Sequence, residues 1–468
     1  MKTNNSKNDK DMATLDQIFG NTKLTENGDI AYSSTNNALL DVLFMTEYYQ
    51  KHLEEVPSIG TDEKARLFAM FIRDPRFGLG RRDLGRTLMK NAGNTFAEII
   101  MAGRYDDIWA MFCQDREMFH QALDFLFAEI QKGNELAKKW MPRYSSKNLM
   151  VAREIANYWG MNKQQYGHFI KADTTVEQKL SRHNDDEINF EHVPSLASIK
   201  YAHAFSTKET LKERYAKYME AVKAGEKKLN VTTTTPYDLY KAADTLQANA
   251  DIFFDKLEKI SGSWIPVVDT SGSMQDSNDS FGKALSIGHY LAKCSTYAPN
   301  KVISFSSRPQ LIELGVDKPK ASYWGYSRSI RQEYSQYAKE INSMYTGDCS
   351  NTDFGAVMRM LQQLDRENAP EYIVVLSDME FDYGSSMSKD ATMALFRQNN
   401  FPTKIVWWNF NSRNTTVPTK DSYGNVFISG YNPMLLKFLE ASFDGASFLD
   451  ILLEEYRKYL EKNIIKVA

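Results

Sequence analysis

The spacing of hydrophobic residues along the chain changes near residue 260. Before that point, hydrophobic residues recur three or four positions apart, as in Phe119, Leu123 and Leu126, which places them on one face of an α-helix. The same pattern covers about 36–52, 67–72, 83–91, 95–102, 119–130, 149–159, 195–205 and 209–224. Short connectors with glycine or proline separate these segments, so the first half predicts an all-α, solenoid-like domain without a fixed repeat length.

After residue 261, hydrophobic residues fall in short continuous runs at about 264–268, 301–305, 371–376 and 404–410. Helical segments alternate with these runs at about 280–297, 352–366, 389–399 and 434–442, and a last helix is predicted from Phe448 to about Lys462. This alternation is typical of an α/β doubly wound, Rossmann-like fold with a parallel sheet. Ligands bind such sheets at the carboxyl ends of the strands.

The two patterns divide the chain into three predicted segments. Residues 1–35 begin with a polar stretch and predict a flexible N-terminal segment. Residues 36–260 form the helical domain and 261–468 form the α/β domain. The length agrees with this division, because 468 residues are more than one hydrophobic core usually organises.

Composition and charge narrow the classes of function. The formal net charge is −3, so overall charge does not favour nucleic acid, although a local basic patch is compatible with it. Cys113, Cys294 and Cys349 are few and widely spaced, which favours a reducing compartment over a disulfide framework. The sequence has neither a signal-peptide pattern nor a hydrophobic run of membrane-spanning length. We therefore expect an intracellular, cytoplasmic protein with no membrane partner.

The most informative motif lies where the first hydrophobic run ends. The chain reads Trp-Ile-Pro-Val-Val-Asp-Thr-Ser-Gly-Ser-Met, so that Asp269 ends a predicted strand and Ser271 and Ser273 follow at alternate positions. A tight loop of this kind turns several oxygen atoms toward one point, and a hard cation such as Mg²⁺ prefers oxygen ligands. Thr352, at the start of a predicted helix, and Asp378, after a later hydrophobic run, offer further oxygens.

These five residues, in this order and at predicted strand ends, resemble the metal-ion-dependent adhesion site (MIDAS) of von Willebrand factor A (vWA) domains. The resemblance implies that Ser271 and Ser273 bind Mg²⁺ (or Mn²⁺) directly. It also implies that Asp269, Thr352 and Asp378 bind the cation directly or through water. A carboxylate of a protein partner often completes the metal shell in that family. The alternative is a vWA scaffold whose metal site is empty.

Four phrases stand out in the helical half. They are Phe-Ile-Arg-Asp-Pro-Arg-Phe-Gly-Leu-Gly-Arg-Arg-Asp-Leu at 71–84, Gly-Arg-Tyr-Asp-Asp-Ile at 103–108, Ala-Lys-Lys-Trp-Met-Pro-Arg at 137–143 and Val-Pro-Ser at 193–195. A helical domain with these phrases before a vWA domain resembles an uncharacterised family of plants, fungi, viruses and phages. That family is similar in architecture to the Ro autoantigen, whose TROVE module is a ring of HEAT-like helices. The resemblance implies a HEAT-like domain and an RNA-binding ribonucleoprotein.

Basic residues are concentrated in these phrases. Between Lys64 and Arg104, nine basic residues accompany three acidic ones. Guanidinium groups bind phosphates in forked geometry. The predicted RNA-binding residues are Arg73, Arg76, Arg81, Arg82, Arg86, Arg104, Lys138, Lys139 and Arg143. The alternative interpretation is structural, since the neighbouring acidic residues can pair with these bases between helices.

No sequence pattern favours catalysis. The seven histidines form no ligand pair at helical spacing, no phosphate-binding Gly-x-x-x-x-Gly-Lys-Ser/Thr loop occurs, and no cysteine has the neighbourhood of a nucleophile. We therefore predict a non-enzymatic protein. The first hypothesis is a Ro-like RNA-binding protein whose vWA domain docks a ligand or partner. The second is a protein-interaction or virion-assembly module that binds an acidic residue of a partner through the metal, without RNA.

Overall fold

The computed structural model describes residues 22–24, 30–32, 37–144, 147–172, 175–276, 278–305, 308–316, 331–345, 353–362, 369–379, 403–411, 425–431 and 448–464. The chain divides into two compact units. The sheet unit consists of Met1–Pro57, Thr235–Phe254 and Glu258–Leu449. The helical unit consists of Ser58–Thr234, Asp255–Leu257 and Asp450–Ala468. Each unit therefore combines segments that are distant in the sequence.

Helices dominate the first half of the chain. In chain order the described α-helices are α1 Ala38–Phe44, α2 Thr46–Tyr49, α3 Glu63–Arg73, α4 Arg82–Asn91, α5 Phe96–Ala102, α6 Tyr105–Phe112, α7 Arg116–Gln131, α8 Glu135–Trp140, α9 Leu149–Tyr158, α10 Lys163–Phe169, α11 Val176–Ser181, α12 Ser195–Lys200, α13 Ala202–Thr207, α14 Lys212–Ala224, α15 Pro236–Leu246, α16 Asn249–Lys256, α17 Ser280–Cys294, α18 Gln336–Ser343, α19 Phe354–Gln362 and α20 Phe448–Ile464. Within the described ranges, no helix is both long and apolar enough to cross a bilayer.

Polar side chains begin many of these helices. The Asp62 carboxylate accepts a hydrogen bond from the Ala65 N–H at the start of α3. Thr95 and Glu98 form a reciprocal capping box at the start of α5, which satisfies backbone donors that have no partner within the helix. Gly225 ends α14 with a left-handed backbone, φ 82°, a conformation that costs glycine little. Local sequence signals therefore fix these helix ends.

The strands form two sheets. A short antiparallel pair joins β1 Thr22–Leu24 to β2 Ile30–Tyr32. The larger sheet contains β3 Trp264–Asp269, β4 Lys301–Phe305, β5 Leu311–Glu313, β6 Tyr372–Ser377, β7 Lys404–Asn409 and β8 Asn425–Ser429, in the spatial order β5-β4-β3-β6-β7-β8. Strand β5 runs antiparallel to β4, whereas the other neighbours are parallel. The sheet is therefore mixed, with one short antiparallel edge strand.

Strands β3 and β6 occupy the middle of the larger sheet. Every residue of both strands is buried, as expected for parallel strands covered on both faces. Val268 of β3 lies opposite Leu376 of β6. Helix α17 packs against β3 and β4. The two central strands therefore end side by side at the same edge of the sheet.

The structure agrees with the four predicted strands and adds two more to the larger sheet. Strand β5 is only three residues long and buries only its middle residue, so it gives no continuous hydrophobic run. Strand β8 follows a polar stretch and was also not predicted. The pair β1–β2 lies in the segment predicted to be flexible. The predicted helices at 389–399 and 434–442 lie outside the described residues.

The compact units do not follow the single predicted division at residue 260. Helices α1, α2 and α15 belong to the sheet unit, where α1 contacts β8 and α15 packs on α17. Most of α20 belongs to the helical unit. Hydrophobic period identifies a helix but does not identify the surface that covers its apolar face, so a division drawn from the period alone does not specify these compact units.

Helix α20 binds the helical unit through a buried polar contact. The Tyr456 hydroxyl donates to Asp74 at 3.2 Å, and its ring packs against Phe71. Both Tyr456 and Asp74 are fully buried. The Arg76 guanidinium donates to both carboxylate oxygens of Asp74, at 3.0 and 3.1 Å. The Arg-Asp-Pro-Arg-Phe segment thus forms part of the surface against which the last helix, α20, packs.

This contact predicts a dependence of stability on alkaline pH. Burial and then the charge of Asp74 raise the pKa of Tyr456 well above its ordinary value of about 10. The folded chain therefore keeps this proton while the unfolded chain loses it, so wild-type stability falls as pH rises past about 10. Tyr456→Phe should cost about 1–2 kcal/mol at pH 7. Its deficit should shrink by about 1.4 kcal/mol per pH unit above pH 10 in urea titrations.

Tyr158→Phe provides a matched control. The Tyr158 hydroxyl also donates to an aspartate, Asp124, at 2.9 Å, but its side chain is exposed. Water replaces an exposed hydrogen bond at little cost, so this variant should unfold like wild type at pH 7. A deficit of Tyr456→Phe that is unchanged between pH 9 and pH 11 would show that the buried phenol does not titrate as described.

Candidate metal centre

Two buried acids lie at the carboxyl ends of adjacent parallel strands. Asp269 is the last residue of β3, and Asp378 directly follows β6. Their exposed fractions are 0% and 1%, which is unusual for carboxylates. The pairing of Val268 with Leu376 brings the two strand ends level. The structure therefore brings together these two predicted ligands from segments that are far apart in the sequence.

The loop after β3 adds two hydroxyl groups. The Ser271 N–H donates to Asp269 Oδ1 at 2.9 Å, so the chain turns back toward the end of the strand. A short 3₁₀ turn, Gly272–Met274, follows and brings Ser271 Oγ to 2.9 Å from Ser273 Oγ. The alternating serines of the motif therefore direct their oxygens together beside Asp269. Thr352, the remaining predicted ligand, lies outside the described residues.

The two buried carboxylates of this centre repel each other. Burial, and after it the charge of Asp378, raises the pKa of Asp269 to about 7, against the lowering effect of hydrogen bonds from Ser377 and Ser271. The Asp378 Oδ2 atom is buried and accepts no hydrogen bond from the described residues, although Asp378 has other contacts. The donor set consists of carboxylate and hydroxyl oxygens, which suits a hard divalent cation such as Mg²⁺ rather than a soft metal. A cation would offset the repulsion, so the residues present fit the predicted group.

Sequence reasoning missed Ser377 and Met379. The Ser377 hydroxyl donates to Asp269 Oδ2 at 2.5 Å and accepts from the Met379 N–H at 3.0 Å. Met379 has a left-handed backbone, φ 66°, although it is not glycine. The sequence signal for Ser377 is a hydroxyl residue between a hydrophobic run and an acidic residue. This pattern does not differ from that of an ordinary last residue of a strand. Two further acids that follow closely in the sequence, Glu380 and Asp382, lie outside the described residues.

A second group of ligand-type side chains lies elsewhere in the sheet unit. Single ligand atoms of His52, Glu54 and Glu55 lie within 4.8 Å of one another. The imidazole stacks on the Tyr48 ring at 4.4 Å, and Tyr48 donates to Glu55 at 2.6 Å. The group is largely exposed, and exposed acidic groups of this kind are common without a metal. It shares no residue with the centre at Asp269, and we assign it no role.

In the helical unit, three of the predicted RNA-binding arginines donate hydrogen bonds to the carboxylate of Asp107, which we call the Asp107 hub. Its carboxylate is fully buried and accepts from Arg73 Nη2 at 2.7 Å, Arg86 Nε at 2.6 Å and the Arg104 N–H at 2.8 Å. Arg73 is itself only 3% exposed. Buried charges of opposite sign stabilise each other only when they are paired and hydrogen-bonded in this way. For Arg73 and Arg86, the structure therefore favours the structural interpretation over contact with phosphates.

Other predicted RNA-binding residues are paired in the same manner. Arg76 binds Asp74 with two nitrogens. Lys138 pairs with Glu135 at 2.9 Å and Lys139 with Glu177 at 3.4 Å. Arg81 is only 9% exposed, and Arg143 is half-buried. Most of these basic side chains therefore take part in ion pairs that hold helices and turns together.

One part of the basic cluster remains accessible. The Arg104 guanidinium lies 3.8 Å from the centre of the Trp140 ring and is held by Asp106 at 2.8 and 2.9 Å. Arg82 is exposed at the start of α4, and its charge contributes to lowering the pKa of Arg104, behind the larger effect of burial. The charges of Arg82 and Arg104 therefore act on each other, and we call this pair with Trp140 the Arg–Trp spot.

Comparisons with known proteins cover most of the chain. Residues 134–270 match a domain of unknown function, DUF2828, and 263–455 match another, DUF7788. An uncharacterised protein, L728, of Acanthamoeba polyphaga mimivirus is 24% identical over 368 residues, covering 69% of this chain and 60% of the viral protein. This chain thus spans less than two thirds of that relative's length.

A solved structure also has some likeness to the chain. The crystal structure of the Deinococcus radiodurans Ro (RSR) protein matches with a TM-score of 0.41 and 10% sequence identity, over 89% of this chain and 95% of that one. The likeness is too distant to carry an argument about function. The matched families are described only as of unknown function, so function must be argued from the sites themselves.

The Asp107 hub predicts that Gly103 tolerates no side chain. A Cβ atom at Gly103 would lie 2.2 Å from Asp107 Oδ2 and 3.0 Å from the Ile99 carbonyl oxygen. Gly103→Ala must therefore displace the carboxylate that neutralises Arg73 and Arg86. We expect a loss of about 3 kcal/mol, the typical cost of disrupting a buried ion pair, measured by urea unfolding.

Gly167→Ala is the matched control in the same unit. Gly167 lies within α10, and no atom lies within 4 Å of the position that its Cβ would occupy. Alanine stabilises a helix relative to glycine, so this variant should equal or exceed wild type by up to about 1 kcal/mol. A Gly103→Ala protein as stable as Gly167→Ala would refute the view of Asp107 as a crowded hub.

Proposed function

We propose that the chain is a divalent-cation-binding protein of the vWA type. In this proposal Asp269, Ser271, Ser273 and Asp378 hold Mg²⁺ or Mn²⁺, and Thr352 is a further ligand. The supporting observation is the burial of two acids at adjacent strand ends, together with the paired hydroxyls of the following loop. Such an arrangement is costly without added positive charge, and a bound dication supplies that charge.

The role that best suits this centre is docking rather than catalysis. Hard cations keep several positions for water or exchangeable oxygen ligands. In the proposal, an acidic side chain of a protein partner occupies one of these positions, and Ser271 and Ser273 orient the cation from the loop side. We assign no reaction to the site. The supporting observation is the donor set itself, in which no histidine or cysteine stands beside the acids to serve as base or nucleophile among the described contacts.

The cation proposal predicts a metal-dependent stability that Asp269→Ala abolishes. For wild type, millimolar Mg²⁺ or Mn²⁺ should raise the thermal midpoint, because a ligand that binds only the folded state stabilises it. In Asp269→Ala the midpoint should not respond to either ion, whatever its value in metal-free buffer. The comparison uses the shift on adding metal, since removal of one of two repelling acids can itself raise metal-free stability.

His52→Ala distinguishes the two groups of ligand-type side chains. This variant removes the imidazole of the exposed group but leaves the centre at Asp269 intact, so it should keep the full Mg²⁺ response. Na⁺ at equal ionic strength controls for general salt effects. Wild-type protein that gains no stability from Mg²⁺ or Mn²⁺ would contradict the proposed function.

RNA binding is the second candidate, and the Arg–Trp spot supports it. Stacking on Trp140 and contact with Asp106 fix the Arg104 guanidinium, and the charge of the exposed Arg82 acts on it. Two neighbouring guanidiniums attract a phosphate, and an indole offers a surface on which a base can stack. In this candidate the spot is much smaller than the nine-residue surface predicted from the sequence, and it contacts one or two phosphates.

Arg82→Glu tests this candidate without disturbing a buried pair. If the Arg–Trp spot binds RNA, the variant should weaken binding of a single-stranded oligonucleotide about tenfold and reduce the salt slope by about one. Filter binding at several salt concentrations measures both quantities. Arg153→Glu, an equal charge change at an exposed position of α9, should have little effect. Equal losses in the two variants, or no RNA retained by wild type, would contradict the candidate.

A further inference from the structure

Ser377 connects the two acids of the candidate centre. It is the last residue of β6, the strand that lies between β3 and β7, and its side chain is fully buried. Its hydroxyl group donates to Asp269 Oδ2 at 2.5 Å and accepts from the Met379 N–H at 3.0 Å. A single hydroxyl therefore joins the end of β3 to the turn that carries Asp378.

On the β3 side, this contact completes the fixation of Asp269. Its Oδ1 atom accepts from the Ser271 N–H and its Oδ2 atom accepts from Ser377. Hydrogen bonds to both oxygens prevent rotation of the carboxylate, while each oxygen keeps a second lone pair. The carboxylate is thus held in one orientation before any cation binds.

On the β6 side, the contact holds a strained turn. Met379 has φ 66° and is 3% exposed, and a non-glycine residue in this left-handed region costs on the order of 1 kcal/mol. The Met379 N–H is directed to Ser377 Oγ by this turn, and Asp378 stands between the two residues. Local strain of this kind persists where the surrounding contacts require it, and it is frequent at functional sites.

From these contacts, we infer that Ser377 is the positioning residue of the cation centre, which fixes both Asp269 and the turn bearing Asp378. The inference rests on the proposed cation-binding function. Ser377 does not bind the cation in this scheme. It orients the acids that do, as outer-shell partners of metal ligands commonly do. Without its hydroxyl, Asp269 Oδ2 loses its donor and the turn after β6 loses its tie to β3.

Ser377→Ala should weaken cation binding far more than it weakens the fold. Loss of an outer-shell partner typically lowers metal affinity by about 10–100-fold. Titration of the full-length chain with Mn²⁺, read from the electron paramagnetic resonance signal of free Mn²⁺, measures affinity on folded protein at a temperature well below its midpoint. Ser377→Thr keeps the hydroxyl and should restore affinity to within about threefold of wild type, provided that circular dichroism confirms a native fold.

Ser429→Ala is the matched control at the same edge of the sheet. Ser429 is the last residue of β8, is fully buried, and donates to the Asn409 carbonyl oxygen at 3.0 Å. Its loss should cost similar stability but leave Mn²⁺ affinity unchanged. Equal affinities of Ser377→Ala and wild type would overturn the positioning role alone, as would an equal loss in Ser429→Ala. Absence of Mn²⁺ binding in wild type would instead overturn the proposed function itself.

Discussion

The parallel pairing of β3 with β6 is the constraint on which the candidate centre depends. Because Val268 lies opposite Leu376, the two strands end level, and each carries an acid at its end. Both acids are buried, so each loses hydration and experiences the charge of the other. The fold thus places two carboxylates that repel each other at one edge of the sheet. Hydrogen bonds reduce the free-energy cost of this repulsion, and a bound cation can remove it.

In the helical unit, arginine side chains neutralise the negative charge of two buried acids. Asp107 is as buried as Asp269, but two arginine side chains neutralise it. Asp74 likewise receives the forked guanidinium of Arg76. Asp269 is instead held by a serine hydroxyl and a backbone amide, which contribute dipoles and not a full charge. The difference indicates that the helical acids serve the fold, whereas the acids of the sheet suit a ligand.

The sequence predicted the positions of Asp269 and Asp378 at strand ends because the signals for a strand end are local. A hydrophobic run marks a buried strand, and the first acid after it marks the strand end, so Asp269 and Asp378 could both be located without a structure. Ser377 was missed because a hydroxyl at the end of a strand has many roles. Pairing of the arginines between helices was the alternative interpretation, but the specific partners could not be assigned: Asp107 lies 34 residues from Arg73 and 21 from Arg86, and sequence spacing gives no measure of such contacts.

Arg81 and Arg82 illustrate the limit most clearly. They are adjacent in the sequence and equal in charge, yet one is 9% exposed and the other is exposed to solvent at the start of α4. A count of basic residues cannot separate them, because burial depends on which side of the helix start each residue occupies. The division of the chain into units has the same limit, since the period of a helix does not identify its neighbour.

The two candidate functions also belong to different compact units, and this separates them physically. The centre at Asp269 is built wholly from the sheet unit, and the Arg–Trp spot is built wholly from the helical unit. In the helical unit, arginine side chains supply the charges that balance Asp107 and Asp74. In the sheet unit, the described hydrogen bonds to Asp269 come from a hydroxyl and a backbone amide, which bring no full positive charge. A cation would therefore act on the sheet unit, and evidence for one function leaves the other to be decided on its own contacts.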